Sequence, residues 1–497
     1  MFGQGRFALT RTKNFRRCLS DSTVFALATP YGKSGVAVVR ISGPAALRTL
    51  QALTEKRVFV PRRLTLSLIK SIDSGELLDQ AMVAWFPSPA SYSGEDMGEL
   101  HLHGSRAVVQ EVLRELGKMS GLSPAEPGEF TRRALINGKM DLVEVEGLAD
   151  LMEAETQAQR KLAQREMFGH ISEQFMRWKD SLLEIVAKLE AYIDFGEDQA
   201  LDENLFTEAS SDVSSLILEM QDCLTSYRTS ERIRSGLRIA IVGQPNVGKS
   251  SLLNLLCHRP AAIVTPIAGT TRDPLDIALD LDGYPIVLTD TAGIRSQTED
   301  LIEQEGIRRS FKKLSESDVV VLVVEATERS DLIISQVASL MDSVASNEFA
   351  PEKYFLLLNK SDLCSSQEAL DQLIADVSTN VRLRWPSHLV AVHSISCKLE
   401  AGLQQFVDHL AFEVKTICKS SLSSPSVVHE RQKVLLEKCL NSLQLFKEHR
   451  NEPSFQNDPS ISAQHLRDAI FYLGRITGAV SIEDILDSIF KNFCIGK

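Results

Sequence analysis

No CxxC pair occurs among the eight cysteines, which fall at 18, 223, 257, 364, 397, 418, 439 and 494. That scatter argues against a zinc site and a disulfide framework, and points to a reducing compartment. No apolar run approaches the ~18 residues a membrane span requires, so no membrane span is expected. Net positive charge is also missing: the formal balance is −12 and the pI is near 5.5. The chain as a whole is not steered toward nucleic acid, and an RNA contact needs a local basic patch or a partner. Short internal repeats and long low-complexity tracts are absent. Acidic residues are absent before Asp21, whereas Arg6, Arg11, Lys13, Arg16 and Arg17 all fall there, with Ser, Thr and Phe between them. Residues 1–21 therefore read as a mitochondrial transit peptide, with a disordered basic tail as the other reading. What is present is ordinary globular material: 497 residues with 43% hydrophobic content, enough for roughly two to four domains.

The most informative segment is Gly243-Gln-Pro-Asn-Val-Gly248-Lys249-Ser250, a complete G-x-x-x-x-G-K-S loop. A strand-like run, 237–242, precedes it and a helix-like run, 251–257, follows. In that context the glycines let backbone N–H groups and a helix N-terminus wrap phosphates. Lys249 reaches the β- and γ-phosphates, and the Ser250 hydroxyl suits Mg²⁺. Further along, Asp290-Thr291-Ala292-Gly293 ends an apolar run, where an Asp suits a water-mediated Mg²⁺ contact and a glycine N–H suits the γ-phosphate. Asn359-Lys360-Ser361-Asp362 follows the run 354–358. The Asp362 carboxylate can accept two hydrogen bonds from guanine, a donor pair that adenine lacks, so GTP is favoured over ATP. Ser396, within Ser394-Ile-Ser396-Cys397-Lys398, fits a last guanine-contacting loop. Residues 275–281 alternate with period two and end at Asp282-Gly283, which predicts a hairpin joining two switch segments. Thr271 is the candidate switch ligand of Mg²⁺ and the γ-phosphate. Each motif alone is weak; their order, each at the end of an apolar run, is strong.

Composition divides the rest. Residues 22–140 mix strand-like runs (36–41, 81–86) with turns and a helix over 106–119, an α+β domain. Residues 141–234 are helical. Ile171, Phe175, Trp178, Leu182, Ile185 and Leu189 form a seam that reads as an intramolecular bundle, being too short for a sustained coiled coil. The nucleotide domain occupies 235–414. A Ser-rich linker, 420–425, leads to further helix in 415–497, where Leu466, Ile470 and Leu473 share a face and Gly478 suits a helix stop. Helical material on both sides of the nucleotide domain predicts one discontinuous helical bundle into which a Ras-like P-loop GTPase domain is inserted.

Beyond these patterns, almost everything after residue 22 resembles the tRNA-modification GTPases of the MnmE/TrmE family, mitochondrial type. The resemblance is carried by Ala28-Thr-Pro30, Arg40-Ile-Ser-Gly43, Phe86-Pro87, Tyr92-Ser-Gly94-Glu95-Asp96, Pro127-Gly-Glu-Phe130, Asn137-Gly-Lys139-Met-Asp-Leu142, the GTPase motifs and the terminal Phe493-Cys494-Ile-Gly-Lys497. It implies an N-terminal domain that binds a tetrahydrofolate one-carbon donor (5,10-methylene- or 5-formyl-tetrahydrofolate) and forms a homodimer. Arg40, Glu99 and Lys139 are the folate contacts carried over, joined by Lys497. It implies GTP contacts from Gly243, Asn246, Val247, Gly248, Lys249, Ser250 and Ser251, from Thr265, Thr270, Thr271 and 290–293, and from Asn359, Lys360, Asp362 and Ser396. It also implies that K⁺ replaces an arginine finger, held by the Asn246 side chain and by backbone carbonyls near Thr265, Ile267 and Thr270. A cation between the phosphates offsets charge that builds in the transition state.

Two departures stand out. No glutamine follows Gly293; Ile294 and Arg295 stand there, and the apolar Ile294 cannot orient water. By family position Glu303 orients the attacking water, although registering from Arg295 instead of Gly306 selects Ile302. Asp276 stands where the family often has Arg. Cys494 reads as a functional thiol or a plain buried cysteine; the Cys494–Lys497 tail fits a prenylation box poorly. The resemblance implies a matrix protein that works with an FAD-dependent MnmG/GidA-type partner on the 5 position of the wobble uridine of mitochondrial tRNA. The added group is taurinomethyl in animals and carboxymethylaminomethyl in fungi. The rival readings are a mitochondrial ribosome-assembly GTPase, which predicts an appended basic RNA-binding module that the sequence lacks, and a one-carbon enzyme with a regulatory GTPase attached.

Overall fold

The computed structural model describes residues 22–195, 204–258, 276–290, 316–345, 351–384, 389–419, 427–450, 459–478 and 496. By backbone contacts the chain divides into two compact units, one comprising Met1–Met152, Gln164–Gln221 and Arg431–Lys497, the other Glu153–Ala163 and Asp222–Glu430.

The first unit opens with β1 (Thr23–Leu27), β2 (Ser34–Ser42), α1 (Ala46–Thr54), β3 (Thr65–Lys70), β4 (Leu77–Phe86), β5 (Met97–Gly104), α2 (Arg106–Lys118), β6 (Leu122–Pro124) and α3 (Glu129–Ile136). The strands form one sheet of order β3-β4-β5-β2-β1-β6. Only the β1–β6 pair is parallel within it. Period-two alternation sends Val39, Ile41, Val83, Leu100 and Leu102 to one face, where they pack with Leu50 and Leu53 of α1 and with Val112 and Leu116 of α2. The opposite face carries Arg40 and Glu99, which lie directly across from each other in the β2–β5 register. This is the α+β domain read from residues 22–140.

Helices follow: α4 (Leu142–Glu153), α5 (Gln157–Met167), α6 (His170–Phe195), α7 (Asn204–Thr225) and α8 (Tyr227–Ser235). Ile171, Phe175, Trp178, Leu182, Ile185 and Leu189 of α6 are all buried, as the seam requires. Phe175 and Trp178 meet edge to face at 5.6 Å, and the Trp178 indole donates to Glu219 at 2.8 Å.

The second unit holds β7 (Leu237–Val242), α9 (Lys249–Cys257), β8 (Asp276–Leu281), β9 (Tyr284–Asp290), β10 (Val319–Glu325), α10 (Ser330–Ala345), β11 (Lys353–Asn359), α11 (Gln367–Arg384), β12 (Leu389–Ser394) and α12 (Leu403–Cys418). The sheet order is β12-β11-β10-β7-β9-β8, parallel except for β8 at the edge. The near-continuous apolar runs of β10 and β11 suit strands covered on both faces. The predicted hairpin is present: Asp282 and Gly283 both have positive φ, 51° and 84°. They join β8 to β9 as a two-residue turn of the primed type does.

The chain then returns to the first unit with α13 (Glu430–Arg450) and α14 (Pro459–Ile476). Arg467 of α14 pairs with Glu190 of α6 at 2.6 Å, and Arg431 pairs with Glu146 of α4 at 2.7 Å. Helices from both sides of the nucleotide domain therefore pack together, as a discontinuous bundle demands. The compact units do not divide at the sequence-read limits of 234/235 and 414/415: α8 and residues 415–430 group with the nucleotide domain. One tie between α8 and that domain is a buried cation. Arg232 of α8, 6% exposed, donates from Nε to Asp318 at 2.7 Å and from Nη2 to Glu352 at 2.8 Å. The linker at 420–425 lies outside the described residues. Among the described residues, no helix is long and apolar enough to cross a membrane.

Candidate nucleotide and N-terminal sites

The nucleotide motifs converge at the C-terminal ends of the parallel strands, the usual ligand position of an open α/β sheet. β7 delivers the phosphate loop and β11 delivers Asn359 through Asp362. Ser396 follows β12. Two glycines are obligatory. A Cβ at Gly243 would meet the Val323 carbonyl oxygen at 2.2 Å, and one at Gly248, with φ 104°, would meet Asn359 Nδ2 at 2.2 Å. Gly248 caps α9, so Lys249, Ser250 and Ser251 occupy its first turn, where free N–H groups attract anions. Lys249 is buried and its ammonium donates to the carbonyl oxygens of Gly243 at 2.9 Å and Gln244 at 2.8 Å. Asn246 is exposed with φ 65°, and its side chain makes no hydrogen bond among the described residues. Val247 is buried.

Asn359 is the hub. It is 2% exposed. Its Nδ2 donates to the Val247 carbonyl at 2.7 Å, and its Oδ1 accepts from the Cys397 amide at 3.1 Å. One side chain thus ties the phosphate loop to the loop after β12. Ser396 Oγ donates to Asp362 Oδ1 at 2.6 Å, which fixes the carboxylate read as the guanine acceptor. Lys360 has a left-handed backbone, φ 64°, and its ammonium pairs with Glu325. Glu325 carried no motif signal in the sequence: it is the last residue of an apolar strand, and only strand pairing puts it beside Asn359. Asp276 accepts from Thr289 Oγ1 at 2.9 Å across the β8–β9 pair. The backbone of Asp290 ends β9. Thr265, Ile267, Thr270, Thr271, Thr291, Ala292, Gly293 and Glu303 lie outside the described residues.

A second polar cluster occupies the N-terminal sheet. Arg40 donates from both Nε and Nη2 to Glu99 Oε1 at 3.1 Å. Its guanidinium lies 5.2 Å from the Tyr92 ring centroid and 5.7 Å from that of Phe130. The other Glu99 oxygen lies 3.3 Å from His101 Nε2. Burial pushes the Tyr92 phenol upward, opposed by its hydrogen bond to Thr131 and the nearby Arg40 charge. Arg40 Nη1 also donates to the carbonyl of Gly496 at 3.2 Å, so the C-terminal motif reaches this cluster. Cys494 and Lys497 lie outside the described residues. Lys139 is placed differently: its ammonium donates to the Pro89 carbonyl at 3.2 Å at an exposed position, on the same 87–96 segment that carries Tyr92.

Comparison with known proteins accounts for both ends and the centre. The MnmE helical domain family matches residues 142–494, and the family described as GTP-binding protein TrmE N-terminus matches 23–139. The chain belongs to the MnmE/TrmE family of tRNA-modification GTPases. It is 42% identical over 482 residues to the zebrafish (Danio rerio) "5-taurinomethyluridine-[tRNA] synthase subunit GTPB3, mitochondrial", covering 96% of this chain and 93% of that protein. The human protein of the same name is 40% identical, with coverages of 96% and 94%. "tRNA modification GTPase MnmE" of Rickettsia akari is 38% identical, covering 96% of this chain and all of that one (100%). Among solved structures, a point variant of Aquifex aeolicus Era bound to GDP.AlF4- is 24% identical, covers 42% of this chain and 67% of that one, with a TM-score of 0.27. The family makes this chain an enzyme, a GTPase of tRNA modification, and its relatives' names place it in mitochondria.

Proposed function

We propose that this GTPase, acting with an FAD-dependent MnmG/GidA-type protein, modifies the 5 position of the wobble uridine of mitochondrial tRNA. A tetrahydrofolate derivative would supply the carbon. The observation that carries the reading is the near full-length similarity to proteins named as subunits of a 5-taurinomethyluridine synthase. Hydrolysis would use Mg²⁺ on Ser250 and Thr271, Lys249 on the phosphates, and Glu303 on the attacking water. K⁺ would be held by Asn246 with the carbonyls of Thr265, Ile267 and Thr270. An exposed amide in the phosphate loop, unengaged by other described residues, supports that assignment. Base selection would rest on Asp362, held by Ser396.

The chemistry of the Arg40–Glu99 cluster fits a folate: a guanidinium for carboxylates, a carboxylate for pterin N–H donors and two aromatic faces for the flat ring. When bound, the folate would supply a one-carbon unit; Arg40 and Glu99 would hold and orient it, with Lys139 and Lys497 as further cationic contacts. The Gly496 contact supports a role for the C-terminal motif at this site. Homodimerisation is supported by the outer face of the same sheet, where Leu66, 56% exposed, pairs with Met82, 36% exposed, and Met82 pairs with His101. Residues 1–21 would direct import and be removed.

Mass spectrometry of mitochondrial tRNA from cells lacking the protein tests the reading. Loss of the wobble modification is expected. An intact modification alongside defective ribosomal particles would overturn it in favour of ribosome assembly.

A further inference from the structure

We propose that Glu325 is a positioning residue for guanine-nucleotide binding, holding the Lys360 side chain in place before nucleotide arrives. The inference rests on the reading of Asn359–Asp362 as the base-recognition motif.

Glu325 ends β10 and lies in register with Asn359, the last residue of β11. The two strand ends are joined further by the Ala326 amide, which donates to the Asn359 carbonyl at 2.7 Å. From this position the Glu325 carboxylate meets the Lys360 ammonium through Oε1. Its other oxygen accepts from Thr327 Oγ1 at 3.4 Å. The pair is sheltered but not sealed, the side chains being 31% and 28% exposed.

Three features make this more than an incidental surface pair. First, Lys360 adopts a left-handed backbone, φ 64°, which a side chain with a Cβ takes at a cost. A held outlier beside a binding motif points to imposed side-chain direction. Second, the first and last residues of the motif are already fixed, Asn359 by Val247 and Cys397, and Asp362 by Ser396. Lysine, with four rotatable bonds, gains little order from packing alone. Third, the lysine stem offers an apolar surface to a flat base only if its charged head is kept elsewhere in a satisfied position. Glu325 supplies that position, so the ordering cost is met before binding.

Because the contact acts through the lysine and not through the phosphates, GDP and GTP must be affected by the same factor. Glu325→Gln keeps the shape and removes the charge. Fluorescent-nucleotide titration of the full chain should show GDP and GTP affinities both lowered, by about two- to fivefold, as for a partly exposed ion pair. The loss should shrink at high ionic strength and vanish in a Lys360→Met background. Glu325→Asp, which retains the charge, should lose less than Glu325→Gln. Unchanged affinity in Glu325→Gln, a full loss persisting beside Lys360→Met, a salt-independent loss, a greater loss in Asp than in Gln, or unequal effects on GDP and GTP would each overturn the proposal. If Lys360→Met alone leaves affinity unchanged, the underlying assignment of Lys360 to the nucleotide fails instead; if it weakens binding while Glu325→Gln does not, only the brace fails.

Discussion

Asn246 offers the sharpest test of a monovalent cation in hydrolysis, and its backbone dictates how the test must be built. Its φ of 65° lies where asparagine and glycine sit readily and alanine does not. Asn246→Ala would delete the amide oxygen and also strain the loop by ~1–2 kcal/mol. Asn246→Gly deletes the same oxygen and relaxes the backbone. The two variants share one change and differ in the other. A single lost donor to a transition-state oxyanion costs ~2.7–4 kcal/mol. Losing the one side-chain ligand should abolish productive cation binding, at a cost of at least about 1.4 kcal/mol or a tenfold change in rate. Turnover at saturating GTP is to be compared in equimolar KCl and NaCl. The unmodified protein should be at least about tenfold faster in KCl, and both variants should turn over at one rate in either salt. Equal rates for the unmodified protein would refute the cation. A Gly variant that keeps the KCl advantage lost by Ala would assign the effect to loop strain.

Asp362→Asn should shift preference from guanine toward xanthine nucleotides, since the acceptor that Ser396 holds becomes partly a donor; undiminished GTP selectivity in competition binding would contradict the pairing. Gly248→Ala should abolish nucleotide binding, because its Cβ would stand 2.2 Å from Asn359 Nδ2 at φ 104°; near-normal affinity by titration would show that the loop can yield. Arg232→Ala strips a buried partner from Asp318 and should cost about 3 kcal/mol in denaturant unfolding of the nucleotide unit, with a loss under about 1 kcal/mol counting against the pairing. Burial, and then the neighbouring His409, depress the His393 pKa below its ordinary value. The unfolded chain therefore binds that proton more readily, and stability should fall as pH drops from the ordinary histidine value through the depressed one; His393→Phe should flatten that slope, measured as unfolding free energy against pH.

The nucleotide unit was readable because its chemistry is local. Strand, loop and helix are contiguous around Gly243–Ser250, and the run 354–358 leads directly into Asn359–Asp362. The hairpin at Asp282-Gly283 is equally local. Glu325 was invisible for the opposite reason: its partner, Lys360, is reached only through the parallel pairing of β10 with β11. Arg232 carries no motif signal in the sequence, and its partners, buried Asp318 and exposed Glu352, are reached only through the tertiary fold. In the N-terminal domain, strand-like runs revealed β2 and the end of β4, but β1, β3, β5 and β6 were missed: β1, β3 and β6 are short, and β5 interleaves its two leucines with Gly, Glu and His. The meeting of Arg40 with Glu99 depends on register, and with Gly496 on a contact between opposite ends of the chain. No spacing rule contains either.

Asn359 belongs by sequence to the part of the motif that reads the base, yet its amide is spent on the carbonyl of Val247 and the N–H of Cys397. It works as a keystone: remove it, and the arch fails at the abutment farthest from the damage. A variant there would look, in a binding assay, like a protein that has lost its grip on phosphate, although no atom of the phosphate loop had been changed. Labels given to motifs by what they touch therefore mislead about what breaks when they go. Here the loops read as contacting the two ends of a nucleotide are tied together by one side chain.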